Sequence, residues 1–234
     1  MRELAMTLAL FVTVGMLGGG IPVDAGQNWS NESAEVAKLR ARAERGEVEA
    51  QYQLGLALVR STNVKMDLAQ GLAWIRKAAE QGYADAQCEL GVMYYRGQGV
   101  PRDDAHALAW YLKAAEQGHA GGQNYAGANY YWGLGVPRDD AQALAWFRKA
   151  ADQGYPLALH NLCLMFFEGR GVPLDIVEAY KWQTVAFARG NTYERLAMLR
   201  TSERIDRKIA PAQRAEGKKR AREWAEAFER RQKK

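Results

Sequence analysis

The sequence predicts an all-α solenoid of tandem helix–turn–helix units, and three observations carry that prediction. Trp74, Trp110, Trp146 and Trp182 recur every 36 residues. So do Gly46, Gly82, Gly118, Gly154 and Gly190. The motif Gly-x-Gly-Val-Pro returns on the same period, at residues 97–101, 133–137 and 169–173. A fixed period of roughly 20 to 50 residues marks units that stack because none can bury its apolar face alone.

In chain order, Arg2 opens the N-terminus, and Leu4 to Leu17 is an uncharged, mostly apolar stretch of 14 residues. Gly18, Gly19, Gly20 and Pro22 follow, then Val23-Asp24-Ala25 with small side chains where a signal peptidase cuts. The apolar run is short of the roughly 20 residues that a spanning helix needs. Residues 1–25 are therefore expected to be a cleaved secretory signal cut after Ala25, with an uncleaved anchor as the alternative. Either way the expected location is outside the cytoplasm, periplasmic or secreted. Residues 26–45 are expected to be an N-terminal cap, polar at first and helix-competent from Glu35 to Arg45.

The solenoid is expected over residues 46–200. With each period glycine as position zero, position 4 reads Ala50, Ala86, Gly122 and Ala158, and position 8 reads Leu54, Leu90, Ala126 and Leu162. Position 12 reads Leu58, Tyr94, Tyr130 and Phe166, completing one apolar stripe of a first helix. The Gly-x-Gly-Val-Pro loop then stops that helix, because glycine tolerates positive φ and proline cannot continue a helix. Asp67, Asp103, Asp139 and Asp175 follow, suited to open a second helix by capping or by charge. The second helix carries the period tryptophan at position 28, expected to be buried, and Ala78, Ala114, Ala150 or Ala186 at position 32. Residues 201–234 break near Pro211, and Ala212 to Gln232 is expected to form a capping helix with Ala221, Trp224, Ala225 and Phe228 on one face.

Charge narrows the function classes. Residues 200–234 hold 13 Lys/Arg against 6 Asp/Glu, whereas the rest of the chain holds 19 against 21, so the net +5 belongs to the C-terminal segment. Lys218, Lys219, Arg220 and Arg222 are interleaved with Glu216, Glu223, Glu226 and Glu229, which suits a solvated cap better than a nucleic-acid surface. Nucleic acid is not an expected partner. Cys88 and Cys163 lie 75 residues apart at different repeat positions. Stacked helices about 8–10 Å apart would not bring them within bridging distance, so two free thiols are expected. His106, His119 and His160 occupy three different repeat positions, so no metal site and no cofactor is expected. The chain has neither Gly-x-Ser-x-Gly nor Ser-x-x-Lys, which removes the ordinary serine acyl-transfer chemistries.

One run carries a family resemblance: Ala86, Leu90, Gly91, Tyr94, Gly97, Gly99, Val100, Asp103, Trp110, Ala114 and Ala115. It resembles the Sel-one-like repeat family, helical repeats related to the tetratricopeptide type, over roughly residues 46–189 with a half-unit at 190–200. Two departures stand out: Ser61-Thr62-Asn63 replaces the first loop, and Cys163 replaces the helix glycine found at Gly55, Gly91 and Gly127. The resemblance implies a right-handed superhelix of about four and a half helix pairs acting as a non-catalytic scaffold for a protein or peptide ligand. Some cysteine-rich relatives are linked to penicillin binding, so a cell-wall ligand, bound or hydrolysed, is the alternative, although their paired cysteines are missing here.

Helical geometry places the candidate ligand face. At 100° per residue, positions 3, 6, 7, 10, 13 and 14 point away from the partner helix. In such solenoids that face of the first helix lines the concave groove. It holds Glu89, Tyr95 and Arg96 in the second unit, Asn124, Tyr125, Tyr131 and Trp132 in the third, and His160, Asn161 and Phe167 in the fourth. Rigid rings beside amides suit an extended peptide or a glycan. The opposing possibility is that some of these rings tuck against the adjacent unit or the C-terminal helix.

Overall fold

The structure, a computed structural model, describes residues 34–60 and 67–233. The signal expected at residues 1–25 and the atypical first loop, Ser61-Thr62-Asn63, lie outside the described residues. Among those described there are eleven helices and no strand. They are α1 (Ala34–Glu44), α2 (Val48–Arg60), α3 (Leu68–Glu80), α4 (Ala84–Arg96), α5 (Asp104–Glu116) and α6 (Ala120–Trp132). Then come α7 (Asp140–Asp152), α8 (Pro156–Glu168), α9 (Ile176–Arg189), α10 (Thr192–Asp206) and α11 (Pro211–Gln232). The fold is all-α, and its helix–turn–helix pairs α2–α3, α4–α5, α6–α7 and α8–α9 repeat as in a solenoid. No helix among the described residues is long and apolar enough to cross a membrane. Among the described residues, those up to Asn129, with Gly133–Pro137, form one compact unit, and Tyr130–Trp132 with those from Arg138 onward form the other.

Each second helix starts where its aspartate caps it. Asp67 accepts from the Gln70 amide and Asp103 from the His106 amide, both at 2.9 Å. Asp139 and Asp175 each serve two amides, at 2.9 to 3.0 Å. These are donors that a helix start otherwise leaves unsatisfied. The first helices α4, α6 and α8 end on Gly97, Gly133 and Gly169, all in the left-handed region with φ of 67–69°.

In the unit ending at Asn129, the two helices of a pair meet through glycine. A Cβ on Gly55 would lie 2.5 Å from Ile75, and one on Gly91 would lie 2.6 Å from the Tyr111 ring. Tyr111 and Ile75 occupy the same repeat position and are fully buried. The second glycine of each loop is a joint rather than a free turn. A Cβ on Gly99 would lie 3.1 Å from the Leu68 carbonyl, and Gly135 packs just as tightly on the first turn of α5. A glutamine ladder ties successive pairs together. Gln51, Gln87 and Gln123 each donate to a carbonyl of the preceding helix, at 3.1 to 3.2 Å. Gln81 and Gln117 in turn donate to Gln51 and Gln87, at 2.6 and 2.7 Å.

In the unit from Tyr130 onward the pattern shifts. Gly171 repeats the joint, its would-be Cβ 2.7 Å from the Asp140 carbonyl. Cys163 stands where the other pairs have glycine, buried with Phe167, Ala179 and Ile205. Burial pushes its thiol pKa up. Both cysteines are free and buried. The cap is larger than the half-unit expected at 190–200: α10 runs to Asp206, opened by an Asn191–Glu194 capping box. Gly190 has φ −73°, unlike the other period glycines, whose φ lies between 76° and 94°. The cause is that α9 runs on to Arg189 and makes Gly190 its C-cap, whereas α3, α5 and α7 are capped by a glutamine before the glycine. The last helix, α11, docks with Ala221 and Phe228 buried and Trp224 edge-on to Trp182 at 5.9 Å. Gly217 admits it closely, since a Cβ there would lie 2.9 Å from Tyr180.

The tryptophans correct an expectation, for all four are half-buried rather than buried. An ammonium covers each ring: Lys77 over Trp74 at 5.2 Å, Lys113 over Trp110 and Lys149 over Trp146 at 3.9 Å, Lys181 over Trp182 at 4.2 Å. Each lysine stem shields its ring; Lys77, Lys113 and Lys149 are exposed, whereas the Lys181 ammonium meets Glu178 at 3.1 Å.

Two outcomes follow from this packing. Gly91→Val drives a branched side chain into Tyr111 and is expected to cost ~3 kcal/mol, read as a lowered Tm by calorimetry. Asp139→Ala strands two amides and is expected to cost ~1 kcal/mol, with Asp139→Asn retaining most of that stability in urea melts.

Candidate ligand-binding face of the first helices

In the unit ending at Asn129, the expected face is mostly closed. Glu89 is only 6% exposed and pairs with Arg60 at 2.7 Å. Asn124 and Tyr125 are buried, the Tyr125 ring 4.9 Å from that of Tyr111. Successive first helices approach too closely to leave a gap, and a Cβ on Gly121 would already touch the Cys88 sulfur at 3.6 Å. His119 stitches the same two helices. Its Nδ1 accepts from the Gly122 amide at 2.9 Å, so Nε2 carries the proton toward Asp85 at 3.2 Å. Of the residues expected here, Tyr95 and Arg96 keep substantial exposure, with the Arg102 guanidinium 5.1 Å above the Tyr95 ring.

In the other unit, Tyr131 is 4% exposed and sits inside a polar clamp. Its hydroxyl donates to Glu168 at 2.6 Å, and the Arg170 guanidinium lies 3.4 Å over its ring. Arg170 also donates to the Tyr131 carbonyl and to Asp140, both at 2.6 Å. Hydrogen bonds from Arg138, then from Arg170, hold the Asp140 carboxyl down at about 2. Burial, then the Glu168 contact, pushes the Tyr131 phenol up. Trp132 meets Tyr131 edge-on at 4.8 Å and stays half-exposed.

His160, Asn161 and Phe167 of α8 are buried. Burial alone holds His160 down at about 4, so it stays neutral at physiological pH. The Cys163 thiol is pushed the other way, so neither group on α8 is set up as an ionised nucleophile or base. Phe167 lies under two cations, Arg204 at 4.9 Å and Lys208 at 5.1 Å, and α10 covers it through Ile205. Among the described residues no group of three or more His, Cys, Asp or Glu is placed to hold a metal ion.

Of the ten residues expected in an open display, seven are buried, and Tyr95, Arg96 and Trp132 near the helix ends are half-buried. Repeat geometry overlooked Arg170, Glu168 and Asp140. The available signal was Arg170 itself, which sits at the loop position that reads Gln98 and Leu134 elsewhere. Tyr131→Ala is expected to cost ~3–5 kcal/mol by leaving a cavity under Arg170, whereas Tyr131→Phe is expected to cost ~1 kcal/mol by losing the bond to Glu168. Equilibrium denaturation of the two variants checks both.

Known proteins place this geometry in a family. The Sel1 repeat matches residues 48–83, 84–119, 120–155 and 156–191, well over half of the chain. The chain is similar to a protective antigen present in uropathogenic Escherichia coli strains and displaying an SLR fold, 40% identical over 69% of this chain, with a TM-score of 0.65. It spans only 35% of that antigen. A Sel1 repeat protein from Oxalobacter formigenes is 28% identical over 70% of this chain and 73% of its own, with a TM-score of 0.59. An immunity protein from Pseudomonas aeruginosa, 19% identical over 96% of this chain and 81% of its own, shares the fold alone at a TM-score of 0.52. A search of curated proteins finds no match. Four tandem matches on the helix pairs described above make this chain a member of the Sel1 repeat family.

Proposed function

We propose that this chain is a non-catalytic scaffold of the bacterial cell envelope, binding a protein or peptide ligand at the ends of its first helices. Sel1 repeats commonly serve as protein-interaction scaffolds, and the packed face leaves ring-bearing helix ends rather than a cavity holding an acid–base pair. The observation that carries the reading is the partial exposure of Tyr95 and Arg96 on α4 and of Trp132 on α6, with Arg102 over the Tyr95 ring and Tyr131 edge-on to Trp132. A ring already held by its surroundings loses little entropy on binding, which is how few contacts carry most of an affinity. Glu89, Asn124, Tyr125, Tyr131, His160, Asn161 and Phe167 are buried and enter this reading as packing rather than as contacts for a ligand. Residues 1–25 are read as the export signal, and the description of the Escherichia coli relative as a protective antigen agrees with a location outside the cytoplasm.

Photo-crosslinkers at Tyr95 and Trp132, and at Ala109 on the exposed face of α5 as a control, test this in the envelope of the producing cell. A discrete protein adduct at 95 or 132 and none at 109 is expected. Adducts to muropeptide instead of protein would replace the scaffold reading with cell-wall binding.

A further inference from the structure

A cleft of about 630 Å³ lies in the unit from Tyr130 onward, with α7 and α11 in its walls and Trp182 of α9 lining it. It shares no residue with the face discussed above. Part of its lining is apolar: Trp182 and Trp224, edge-to-face at 5.9 Å, with the methyl groups of Ala151 and Ala227. The rest is cationic. Arg148, Arg230 and Arg231 line it, and Asp152 is the acid among the lining residues.

The arginines hold charge that the protein does not answer closely. Arg231 reaches Asp152, and Arg230 reaches Glu226, only at 3.9 Å, with the two guanidiniums 52% and 69% exposed. Arg148 is exposed and makes no ion pair among the described residues. Lys181 differs: its ammonium lies over Trp182 and 3.1 Å from Glu178, so its charge is already neutralised. Exposed pairs at such distances are weak, which leaves the guanidinium forks available to carboxylates.

We infer that this cleft is a binding site for an acidic peptide segment carrying an aromatic or large apolar side chain. Its volume falls within the range of ligand pockets, the rings supply an apolar seat, and the arginines supply charge complementarity at its edge. A neutral ligand would leave the arginines unanswered. A long polyphosphate backbone would run into Asp152, Glu226 and Glu229, all exposed. A short peptide with a few carboxylates around one ring meets both kinds of wall.

The test uses the full chain and a fluorescein-labelled peptide with Asp-Glu pairs on either side of one Phe, read by fluorescence anisotropy. Comparison probes are the Asn/Gln peptide, the Phe→Gly peptide and a single-stranded oligonucleotide of equal charge. Arg148→Glu combined with Arg230→Glu is expected to weaken the acidic peptide at least tenfold, with unchanged helical circular dichroism. Both comparison peptides are expected to bind several-fold more weakly, and added salt to reduce binding of the acidic one. Tyr95→Ala with Trp132→Ala is expected to leave this binding unchanged, which separates the cleft from the first-helix face. Equal binding by the double Glu variant, equal binding of the neutral peptide, tighter binding of the oligonucleotide, or no binding at millimolar peptide would each overturn the inference.

Discussion

The side chains of Ile75 and Tyr111 occupy space that a Cβ on Gly55 or Gly91 would need, at 2.5 and 2.6 Å. Backbone and side chain therefore meet directly, and the two helices of a pair approach more closely than any larger residue would allow. Dense interiors of this kind resist small volume changes, so the pair behaves as a stiff unit. The tight pair also sets where the loop can go. Gly99, Gly135 and Gly171 then rest against the start of the second helix one repeat earlier, where no side chain fits without displacement. Local closeness within a pair becomes closeness between repeats, and the glutamine ladder ties the opposite ends of the helices, Gln81 to Gln51 and Gln117 to Gln87.

This closeness shapes the candidate binding surface. Inner-face residues such as Tyr125, Asn124 and Glu89 are buried, Glu89 pairing with Arg60 of the preceding first helix and Tyr125 packing on Tyr111 of α5. In the unit that ends the chain, α10 supplies Ile205 to the core around Cys163 and Phe167. That contact covers an apolar face which a further repeat would otherwise have to bury. Packing thus claims seven of the ten side chains expected on that face, while Tyr95, Arg96 and Trp132 keep partial exposure.

Much of the fold was legible because its devices recur. Gly97, Asp103 and their counterparts are required by backbone chemistry, a left-handed turn and a helix cap, and such requirements show in the sequence as fixed letters. Exposure was less legible. Helical angle shows which way Tyr125 or His160 points, but not how near the next first helix lies. For Tyr125 that distance is set by small residues such as Gly121, on its own helix and facing Cys88 of α4. The tryptophans illustrate the same limit, since their period marked the second helix correctly while their half-burial depends on lysines one turn away. Arg170 was hidden differently: it acts at a position where the other loops carry no charge, so no recurrence pointed to it. Gly190 keeps the beat but not the conformation, because α9 extends to Arg189 and makes Gly190 its C-cap.

The claim that close packing buries Tyr125, Tyr131 and Phe167 while Tyr95 and Trp132 stay partly open is tested most directly by hydroxyl-radical footprinting of the native protein. Tyr193, 58% exposed, provides the internal reference for an open ring. Trp132 and Tyr95 are predicted to label at intermediate rates, and Tyr125, Tyr131 and Phe167 to remain protected until the protein unfolds. Labelling of Tyr125 and Tyr131 at the rate of Tyr193 under native conditions would contradict the account.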